Sequence, residues 1–134
     1  MIEKMNDIHW CIVCGQRATE LHHRVFRSEC KQLEHCKINQ VYLCREHHRG
    51  TYGVHGKYGD KLNKKLKLEF QNKLEMLFDK EFLTKEEIKE VLQISEKALE
   101  RLIKPIKCYQ CKFTREDVIR ACMGGKMIIE GDSN

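Results

Sequence analysis

Four side chains that commonly bind zinc occur as two closely spaced pairs near the start of the chain. Two residues separate Cys11 from Cys14, and two separate Cys44 from His47. Tetrahedral Zn²⁺ is bound by nitrogen and sulfur ligands at such short spacings. The pattern predicts a structural zinc site formed by both pairs. Spacing alone leaves open whether His47 or the adjacent His48 is the fourth ligand, because both lie about one helical turn beyond Cys44.

The size and cysteine content of the chain favour a metal-stabilised protein in a reducing compartment. With 134 residues, eight of them Cys, the chain can form one ordinary domain or two small ones, at least one of which needs a metal to be stable. Residues 1–7 are polar and charged rather than signal-like, which favours free thiols over disulfides. No apolar run has the length of a transmembrane helix. We therefore expect a cytoplasmic protein with no membrane partner.

A second set of chemically active residues lies between and beside the zinc ligands. The pair His22-His23 precedes Asn39, and His48 follows further along. Adjacent side chains of an extended strand point to opposite faces, so one histidine of the pair can bind a metal while the other faces a different group. The set resembles the HNH endonucleases, in the form with a doubled histidine found in the DNase colicins. The resemblance covers residues 9–60.

The resemblance implies a ββα-metal fold, a divalent ion and a role for each residue of the motif. His23 would be the general base, and His22 and His48 would hold the catalytic metal. Asn39 would accept the Nδ1 proton of His23 or fix the loop, and Arg24 would contact a flanking phosphate. HNH enzymes are generally taken to use Mg²⁺ or Mn²⁺, whereas an imidazole-rich site suits Zn²⁺, Ni²⁺ and Co²⁺ at least as well.

One position departs from the colicin-like pattern. Tyr52 stands where a further histidine is expected, about one helical turn after His48. His55 lies a little beyond and would replace the missing ligand if the neighbouring glycines turn the chain back toward the site. His55 is therefore a candidate ligand of the catalytic metal.

Residues 1–60 are predicted to form the nuclease-like module. They are rich in Cys, His and Gly and show little periodicity, as expected where a metal rather than a large core fixes the fold. Short strands are predicted at 19–26 and 40–43, followed by a helix at 44–49 that Gly50 interrupts. This strand–loop–helix order is the one that the ββα-metal motif requires.

The rest of the chain is predicted to be helical. Residues 61–82 carry apolar side chains every three or four positions, which predicts an amphipathic helix, through about Lys80, with a lysine-rich outer face. Residues 83–126 are predicted to form three short helices, the first two of which resemble a helix-turn-helix; residues 107–113 would form a small wing, as in phage excisionase-like domains. The capping signals are Thr84 with Glu87, Ser95, and Thr114 with Asp117. With a flexible tail predicted at 127–134, the fold class is α+β.

The charge of the chain suits a nucleic-acid partner. The net charge is +5, and basic residues lie on the outer face of the predicted 61–82 helix and in the second helix of the predicted helix-turn-helix. The candidate contacts are Lys61, Lys64, Lys65, Lys97 and Arg101. Glu96 and Glu100 lie beside the last two and weaken the case for phosphate binding, so docking of another protein is an open alternative there.

Several other cysteine and histidine residues are not assigned to a metal site. Cys30, His35 and Cys36 lie between the motif segments without a second pair, and such loop residues more often face solvent. Cys108 and Cys111 form another CxxC, but too few ligands lie nearby to close a zinc site within that segment. We predict that this pair packs in a strand.

The sequence therefore predicts a small metal-dependent DNA endonuclease or nickase of HNH type, of the kind carried by phages and prophages, in a bacterial or phage-infected cell. Its cofactors would be a structural Zn²⁺ and a catalytic Mg²⁺, Mn²⁺, Ni²⁺, Co²⁺ or Zn²⁺. DNA is the expected partner, with a second copy of the chain or a phage protein as further candidates, and the sequence does not distinguish DNA from RNA. The alternatives are a zinc-stabilised DNA-binding or regulatory protein without turnover and an adaptor that binds a protein through its C-terminal helices.

Overall fold

Small antiparallel sheets and helices make up the part of the chain that the computed structural model describes, residues 8–129. The strands in this range are β1 (His9–Trp10), β2 (Arg17–Ala18), β3 (Glu20–His23), β4 (Gln40–Leu43), β5 (Phe82–Leu83) and β6 (Phe113–Thr114). The α-helices there are α1 (Arg45–Arg49), α2 (Asp60–Leu77), α3 (Lys85–Leu92), α4 (Glu96–Ile103) and α5 (Arg115–Cys122). The strands pair as β1–β2, β3–β4 and β5–β6, so the predicted α+β class is confirmed.

Strands β3 and β4 form the hairpin on which most of the predicted site residues lie. The strand predicted at 40–43 is confirmed, whereas β3 is shorter than the predicted 19–26. Pairing ends early because the backbone N–H of Val25 donates to the side-chain Oδ1 of Asn39, at 2.8 Å, instead of to a strand carbonyl. The chain can then leave the sheet as a long loop.

Helix α2 is the amphipathic helix that the apolar spacing predicts. Its buried side chains are Leu66, Phe70, Gln71 and Leu74. It ends at Leu77 rather than near Lys80, because the backbone of Phe78 leaves the helical region with φ −90° and ψ 82°. Among residues 8–129, no helix is both long enough and apolar enough to cross a lipid bilayer.

The three short helices after α2 begin where their capping residues predict. Thr84 forms a complete capping box with Glu87 at the start of α3. The side-chain oxygens of Ser95 and Thr114 cap α4 and α5 in the same way, by accepting a backbone N–H three residues ahead. Between α3 and α4 the chain turns at Gln93, which has a left-handed backbone with φ 55°.

The loop between β3 and β4 packs into the same hydrophobic core as the C-terminal helices. Val25, Cys30, Leu33 and Cys36 are buried there against apolar side chains of α2 to α5. The prediction that Cys30 and Cys36 face solvent is therefore wrong, because their thiols serve as small apolar side chains in this core. His35 is exposed, as predicted. The segments predicted as separate modules thus share one core.

A smaller apolar cluster supports the N-terminal hairpins. Its buried members are Cys11, Ala18, Val41, Leu43, Val54 and Leu66. Leu66 belongs to α2, and the same helix contributes Phe70 and Leu74 to the larger core. Helix α2 therefore fixes the β3–β4 hairpin relative to the C-terminal helices.

The end of the described range is held against α2 by Gln71. Its Nε2 donates to the carbonyl oxygen of Ile128 at 2.9 Å, and the N–H of Ile128 donates back to its Oε1 at 2.7 Å. Residues 127–129, predicted to begin a flexible tail, are thus anchored. The rest of that predicted tail, 130–134, and the polar start predicted at 1–7 lie outside the described residues.

Candidate metal centres

Cys11, Cys14, Cys44 and His47 meet where the turn after β1 lies beside the start of α1. Their ligand atoms all lie within 4.8 Å of one another. The sulfurs of Cys14 and Cys44 are 3.8 Å apart, and Nδ1 of His47 lies 3.3 Å from the sulfur of Cys44 and 3.8 Å from that of Cys11. Tetrahedral zinc, with bonds of about 2.3 Å to sulfur and about 2.0 Å to nitrogen, separates its ligands by roughly 3.5 to 3.8 Å. These four side chains can hold a metal ion.

The backbone around this cluster favours the ionised form of one thiol. Burial of Cys11 opposes its ionisation, but backbone hydrogen bonds, the strongest from Cys44, outweigh burial and lower the pKa of Cys11 to about 6. At Cys14 the backbone of Gln16 favours the thiolate, yet desolvation and the two neighbouring cysteine sulfurs raise the pKa. Crowded sulfurs oppose one another's ionisation, and a bound cation relieves that opposition.

The structure distinguishes His47 from His48 as partners of the thiols. Successive residues of an α-helix are rotated by about 100°, so two adjacent histidines of α1 face different directions. His47 lies among the cysteines, whereas His48 is buried toward β3 and belongs to a different cluster. The fourth member of the cysteine cluster is therefore His47.

His22, His48 and His55 form this second cluster. One nitrogen from each ring lies within 4.8 Å of the other two. His22 is only 3% exposed, and its Nε2 has no hydrogen-bond partner among the described residues. A buried ring nitrogen without a partner costs free energy unless something binds it. The three imidazoles can therefore hold a metal ion, and the unpartnered nitrogen is accounted for if they do.

The protonation states of two of these rings suit ligands. Burial lowers the pKa of His22 to about 3, helped by the charges of the neighbouring rings of His48 and His55. Burial also lowers the pKa of His55 below its ordinary value. Both rings are neutral at physiological pH, and a neutral imidazole has the lone pair that a metal requires.

Glycines at every third position after α1 bring His55 back to the cluster. Successive turns are closed by the N–H of Gly53 on the carbonyl of Gly50 and by the N–H of Gly56 on that of Gly53, at 2.9 and 2.8 Å. The N–H of His55 then donates to the carbonyl of His48 at 3.0 Å. A Cβ on Gly56 would lie 1.8 Å from the carbonyl oxygen of Gly50, which only glycine avoids. His55 can therefore take the place of the histidine expected at position 52 because this loop turns the chain back toward the cluster.

Glu20 orients the ring of His48. Its Oε1 accepts hydrogen bonds from His48 Nδ1 at 2.5 Å and from Arg49 Nε at 2.9 Å. The bond to His48 is the largest cause of the lowered pKa of Glu20. Since an ionised carboxylate only accepts, Nδ1 of His48 carries the proton and its Nε2 is left for a metal. Sequence reasoning missed Glu20, although its position two residues before His22 puts both side chains on one face of β3.

His23 has one nitrogen engaged and one available. Its Nε2 lies 2.8 Å from the backbone carbonyl oxygen of Glu34. A carbonyl oxygen only accepts, so Nε2 is the protonated nitrogen and Nδ1 of the neutral ring keeps its lone pair. His23 lines an open cavity together with the three clustered histidines. The ring of His23 is thus bonded to a backbone carbonyl, whereas the ring of His22 lies beside those of His48 and His55, although both histidines line the same cavity.

Asn39 fixes the loop, which is the second of the two roles proposed for it. The side chain is fully buried, with its Oδ1 accepting the N–H of Val25 at 2.8 Å and its Nδ2 donating to the carbonyl of Val25 at 3.0 Å. His23 is not among its hydrogen-bond partners within residues 8–129. Asn39 therefore supports the hairpin end that carries the histidine pair rather than contacting the ring.

The two candidate metal clusters depend on one short helix, since α1 contributes His47 to the first and His48 to the second.

A comparison with known protein families, with curated proteins and with solved structures finds no match. The donor types and their surroundings are then the features that bear on function.

The predicted phosphate contact of Arg24 is not supported. Its Nη1 donates to the carbonyl of Leu66 at 3.0 Å and to Glu69 Oε1 at 2.9 Å, and the side chain is only 14% exposed. Two other arginines, Arg27 and Arg49, line the cavity instead. Both are 65% exposed. The spacing of the motif contained no signal for them, because the cavity forms only when the β3–β4 loop and α1 come together.

The lysines predicted to contact nucleic acid on α2 lie in mixed electrostatic surroundings. Lys61 and Lys64 line a groove that also contains Glu29 and Asp60, and Lys65 is exposed. The groove is therefore not uniformly basic, which weakens the case for phosphate contacts there.

The second CxxC lies at the tip of a hairpin rather than in a packed strand. Tyr109 and Lys112 exchange two backbone hydrogen bonds, at 2.7 and 3.0 Å, on either side of the turn. Cys108 and Cys111 are both exposed. The prediction of strand packing is therefore wrong, because the chain reverses at Gln110 and Cys111, which have left-handed φ angles of 51° and 66°.

Proposed function

We propose that this chain is a metal-dependent endonuclease of the HNH type that hydrolyses phosphodiester bonds in DNA. The observation that carries the proposal is that His23, with one free ring nitrogen, borders the same open cavity as three histidines able to hold a divalent ion. A protein that only binds nucleic acid needs neither a second donor cluster nor a base beside it. The order of His22, His23, Asn39 and His48 in the sequence is the one that resembles the HNH motif.

The histidine cluster fits a divalent transition metal. Three imidazoles are donors typical of Zn²⁺, Ni²⁺, Co²⁺ or Mn²⁺ sites, whereas Mg²⁺ prefers oxygen ligands. The unpartnered Nε2 of His22 and the proton that Glu20 holds on Nδ1 of His48 both support metal binding by these rings. When bound, a divalent ion would supply Lewis-acid stabilisation of the charge that develops on the scissile phosphate and the departing oxygen.

His23 is the proposed general base. Its Nδ1 accepts a proton from the water that attacks phosphorus, while the hydrogen bond from Nε2 to the carbonyl of Glu34 keeps the ring in the required tautomer. A bond forms between the water oxygen and phosphorus, and the bond from phosphorus to the 3′ oxygen breaks. The products are a 5′ phosphate and a 3′ hydroxyl, the latter protonated from solvent.

Arg27 and Arg49 are the proposed contacts to the substrate backbone at this cavity. Arg49 is held by Glu20 at 2.9 Å, and Arg27 lies 3.4 Å from Glu34. Each guanidinium keeps further N–H groups at the cavity edge, and their planar arrangement suits phosphate oxygens. The site therefore combines positive charge for the substrate with imidazole rings for the chemistry.

The cysteine cluster is the proposed structural zinc site. Three thiolates and one imidazole form a closed tetrahedral set, which leaves no position for a substrate. The cluster ties the turn after β1 to the start of α1, the helix that carries His48. Zinc would therefore hold one ligand of the catalytic site in position.

The proposed activity is tested by plasmid nicking with the wild-type protein and the His23→Ala variant. Each is assayed with Mg²⁺, Mn²⁺, Ni²⁺, Co²⁺ or Zn²⁺, after its structural zinc has been quantified. We expect wild type to convert supercoiled to relaxed circles and His23→Ala to be slower by about 10²- to 10⁴-fold, the usual contribution of a general base. A labelled RNA of matched sequence, assayed in parallel, tests the choice of substrate.

His35→Ala is the matched control, because His35 is exposed and belongs to neither cluster. It should nick like wild type. Equal nicking by His23→Ala would contradict the role of His23, and failure of the wild type to nick with any metal while still binding DNA would favour a zinc-stabilised binding protein.

Charge pairing on α4 supports a second DNA contact in the helix-turn-helix-like segment. Glu96 and Glu100, which weaken the sequence-based case, pair with Lys89 and Lys85 of α3 at 2.8 and 2.5 Å. The basic side chains beside a groove between α4 and the following hairpin are Lys97, Arg101 and Lys104. Within residues 8–129 none of these three forms a salt bridge. Glu100 lines the same groove, but its carboxylate is paired with Lys85, so the charge left for an anionic partner there is basic.

The DNA contact of α4 is tested by the double variant Lys97→Ala with Arg101→Ala. We expect weaker binding to all DNA sequences and a shallower dependence of log affinity on log salt, by about one for each lost phosphate contact. The measurement is fluorescence anisotropy of a labelled duplex across a salt series. Arg17→Ala with Lys37→Ala, two exposed basic residues outside this segment, is the control; an equal effect of both double variants would contradict a specific contact on α4.

A further inference from the structure

Two of the eight cysteines have no role in the clusters or the core described above. Cys11, Cys14 and Cys44 belong to the first metal cluster, and the buried thiols are part of the larger hydrophobic core. Those core thiols are Cys30, Cys36 and Cys122. Only Cys108 and Cys111 are exposed to solvent outside a cluster. Free cysteine is usually among the most buried residue types, so an exposed pair in one turn calls for a chemical reason.

The turn that carries this pair is not built from the residues that such a turn prefers. The hydrogen bonds between Tyr109 and Lys112 close a two-residue hairpin whose central residues, Gln110 and Cys111, both have left-handed backbones. Glycine and asparagine are the residues favoured at such positions. Cys111 therefore occupies an exposed position where backbone conformation alone favours another residue type.

The two thiols have half of the donors of a tetrahedral zinc site. Within residues 8–129, neither Cys108 nor Cys111 belongs to a group of three or more metal-binding side chains. The described part of one chain therefore does not complete the set. Because the pair lies on an exposed hairpin, a second copy can present the same two sulfurs to the same ion and make a site of four thiolates.

The charge around the pair supports such a site. Zinc with four thiolates carries a formal charge of about −2, because four negative sulfurs outweigh the dipositive ion. Lys107 and Lys112 flank the two cysteines, and Lys107 lies over the ring of Tyr109 with its Nζ 4.9 Å from the centroid. Two chains would therefore bring four ammonium groups to the neighbourhood of the site, and the negative charge of the four thiolates would offset the repulsion between these basic hairpins.

We propose that Cys108 and Cys111 form half of a zinc site that joins two copies of this chain through their hairpin tips. The dimer would hold two histidine clusters in one particle. This inference does not rest on the proposed nuclease activity, because its readouts are mass and zinc content.

The test compares the wild type with the double variant Cys108→Ser and Cys111→Ser, both purified with a reducing agent and in the presence of Zn²⁺. Molar mass is measured by size-exclusion chromatography with light scattering, and zinc per chain by elemental analysis. We expect a wild-type dimer, a variant monomer, and half a zinc ion per chain more in the wild type. The difference between the two proteins isolates this site, because both keep the cysteine and histidine clusters.

The Gln110→Asn variant is the matched control, since it changes the same turn but keeps both thiols, and it should dimerise like the wild type. Equal mass and equal zinc content of wild type and double variant would overturn the proposal. So would a wild-type monomer with a whole additional zinc ion per chain, or a dimer that separates with stronger reductant but not with a zinc chelator, because the latter is a disulfide. Loss of nicking activity would not affect any of these readouts.

Discussion

At the scale of single residues, what a histidine does depends on the partner of each of its two ring nitrogens. Nε2 of His23 donates to a carbonyl, so Nδ1 is available as a base. Nδ1 of His48 donates to Glu20, so Nε2 is available for a metal. Nε2 of buried His22 has no partner in the described chain. Three rings of the same chemistry are thus prepared for different tasks by their surroundings.

Substitution of Glu20 tests whether the carboxylate prepares His48 for metal binding. We expect Glu20→Ala to weaken Co²⁺ binding at the histidine cluster by about tenfold to a hundredfold, the usual effect of removing the hydrogen-bond partner of a ligating histidine. The measurement is titration with Co²⁺ followed by visible absorption, in protein that retains zinc at the cysteine cluster. Glu90→Ala, at an exposed residue of α3, should bind Co²⁺ like the wild type. Unchanged affinity in Glu20→Ala would show that His48 does not need this partner.

At the scale of elements, the glycine-rich loop after α1 is what completes the histidine cluster. A helix continuing past α1 would put Tyr52 about one turn beyond His48, as in the pattern that the sequence resembles. The loop instead winds through close backbone contacts and returns His55 to the carbonyl of His48. The period of three in its glycines was visible in the sequence. The direction in which the loop turns was not, because it depends on hydrogen bonds back to α1.

Substitution of Gly56 tests this dependence. The Cβ of alanine would lie 1.8 Å from the carbonyl oxygen of Gly50, a backbone contact that cannot be relieved without moving the loop. We expect Gly56→Ala to reduce Co²⁺ affinity at the histidine cluster about as much as His55→Ala does, with zinc at the cysteine cluster retained. Lys57→Ala, an exposed side chain of the same loop, is the control and should leave both metals unaffected. Normal Co²⁺ affinity in Gly56→Ala together with reduced affinity in His55→Ala would mean that the position of His55 does not depend on Gly56.

At the scale of the whole molecule, the segments that the sequence divides are joined by a shared core. The loop between β3 and β4 inserts Val25 and Leu33 among the side chains of the C-terminal helices. The short helical turn that contains Leu33 packs against α4. Because this loop begins at the histidine pair, packing of the C-terminal helices is coupled to the position of the candidate site.

Substitution of Leu33 tests that coupling. Leu33 is fully buried, and truncation of such a side chain typically costs about 2–5 kcal/mol of unfolding free energy. We expect Leu33→Ala to lower the denaturant midpoint of the helical circular-dichroism signal, most of which comes from α2 to α5, in a single transition. Lys31→Ala, an exposed residue of the same turn, should leave the midpoint unchanged. A helical transition unaffected by Leu33→Ala would indicate that the C-terminal helices fold independently of the loop.

The features that arise from contacts within a few residues could be predicted from the amino-acid sequence alone. The helix caps formed by Thr84, Ser95 and Thr114 are of this kind, since a capping side chain accepts a hydrogen bond from the backbone three residues ahead. The paired spacing of the cysteine cluster is of this kind as well. Such interactions need only residues that are close in the chain, so the amino-acid sequence is sufficient to predict them.

The features that depend on residues far apart in the chain follow from the way in which the elements pack. The pairing of Glu20 with His48 joins a strand to a helix, and Arg24 is drawn away from the cavity by α2. Cys30 and Cys36 become core residues only because the C-terminal helices cover them. Each of these outcomes depends on how whole elements pack. A polar or small side chain has several possible partners as far as the local sequence shows, and packing decides which of them it contacts.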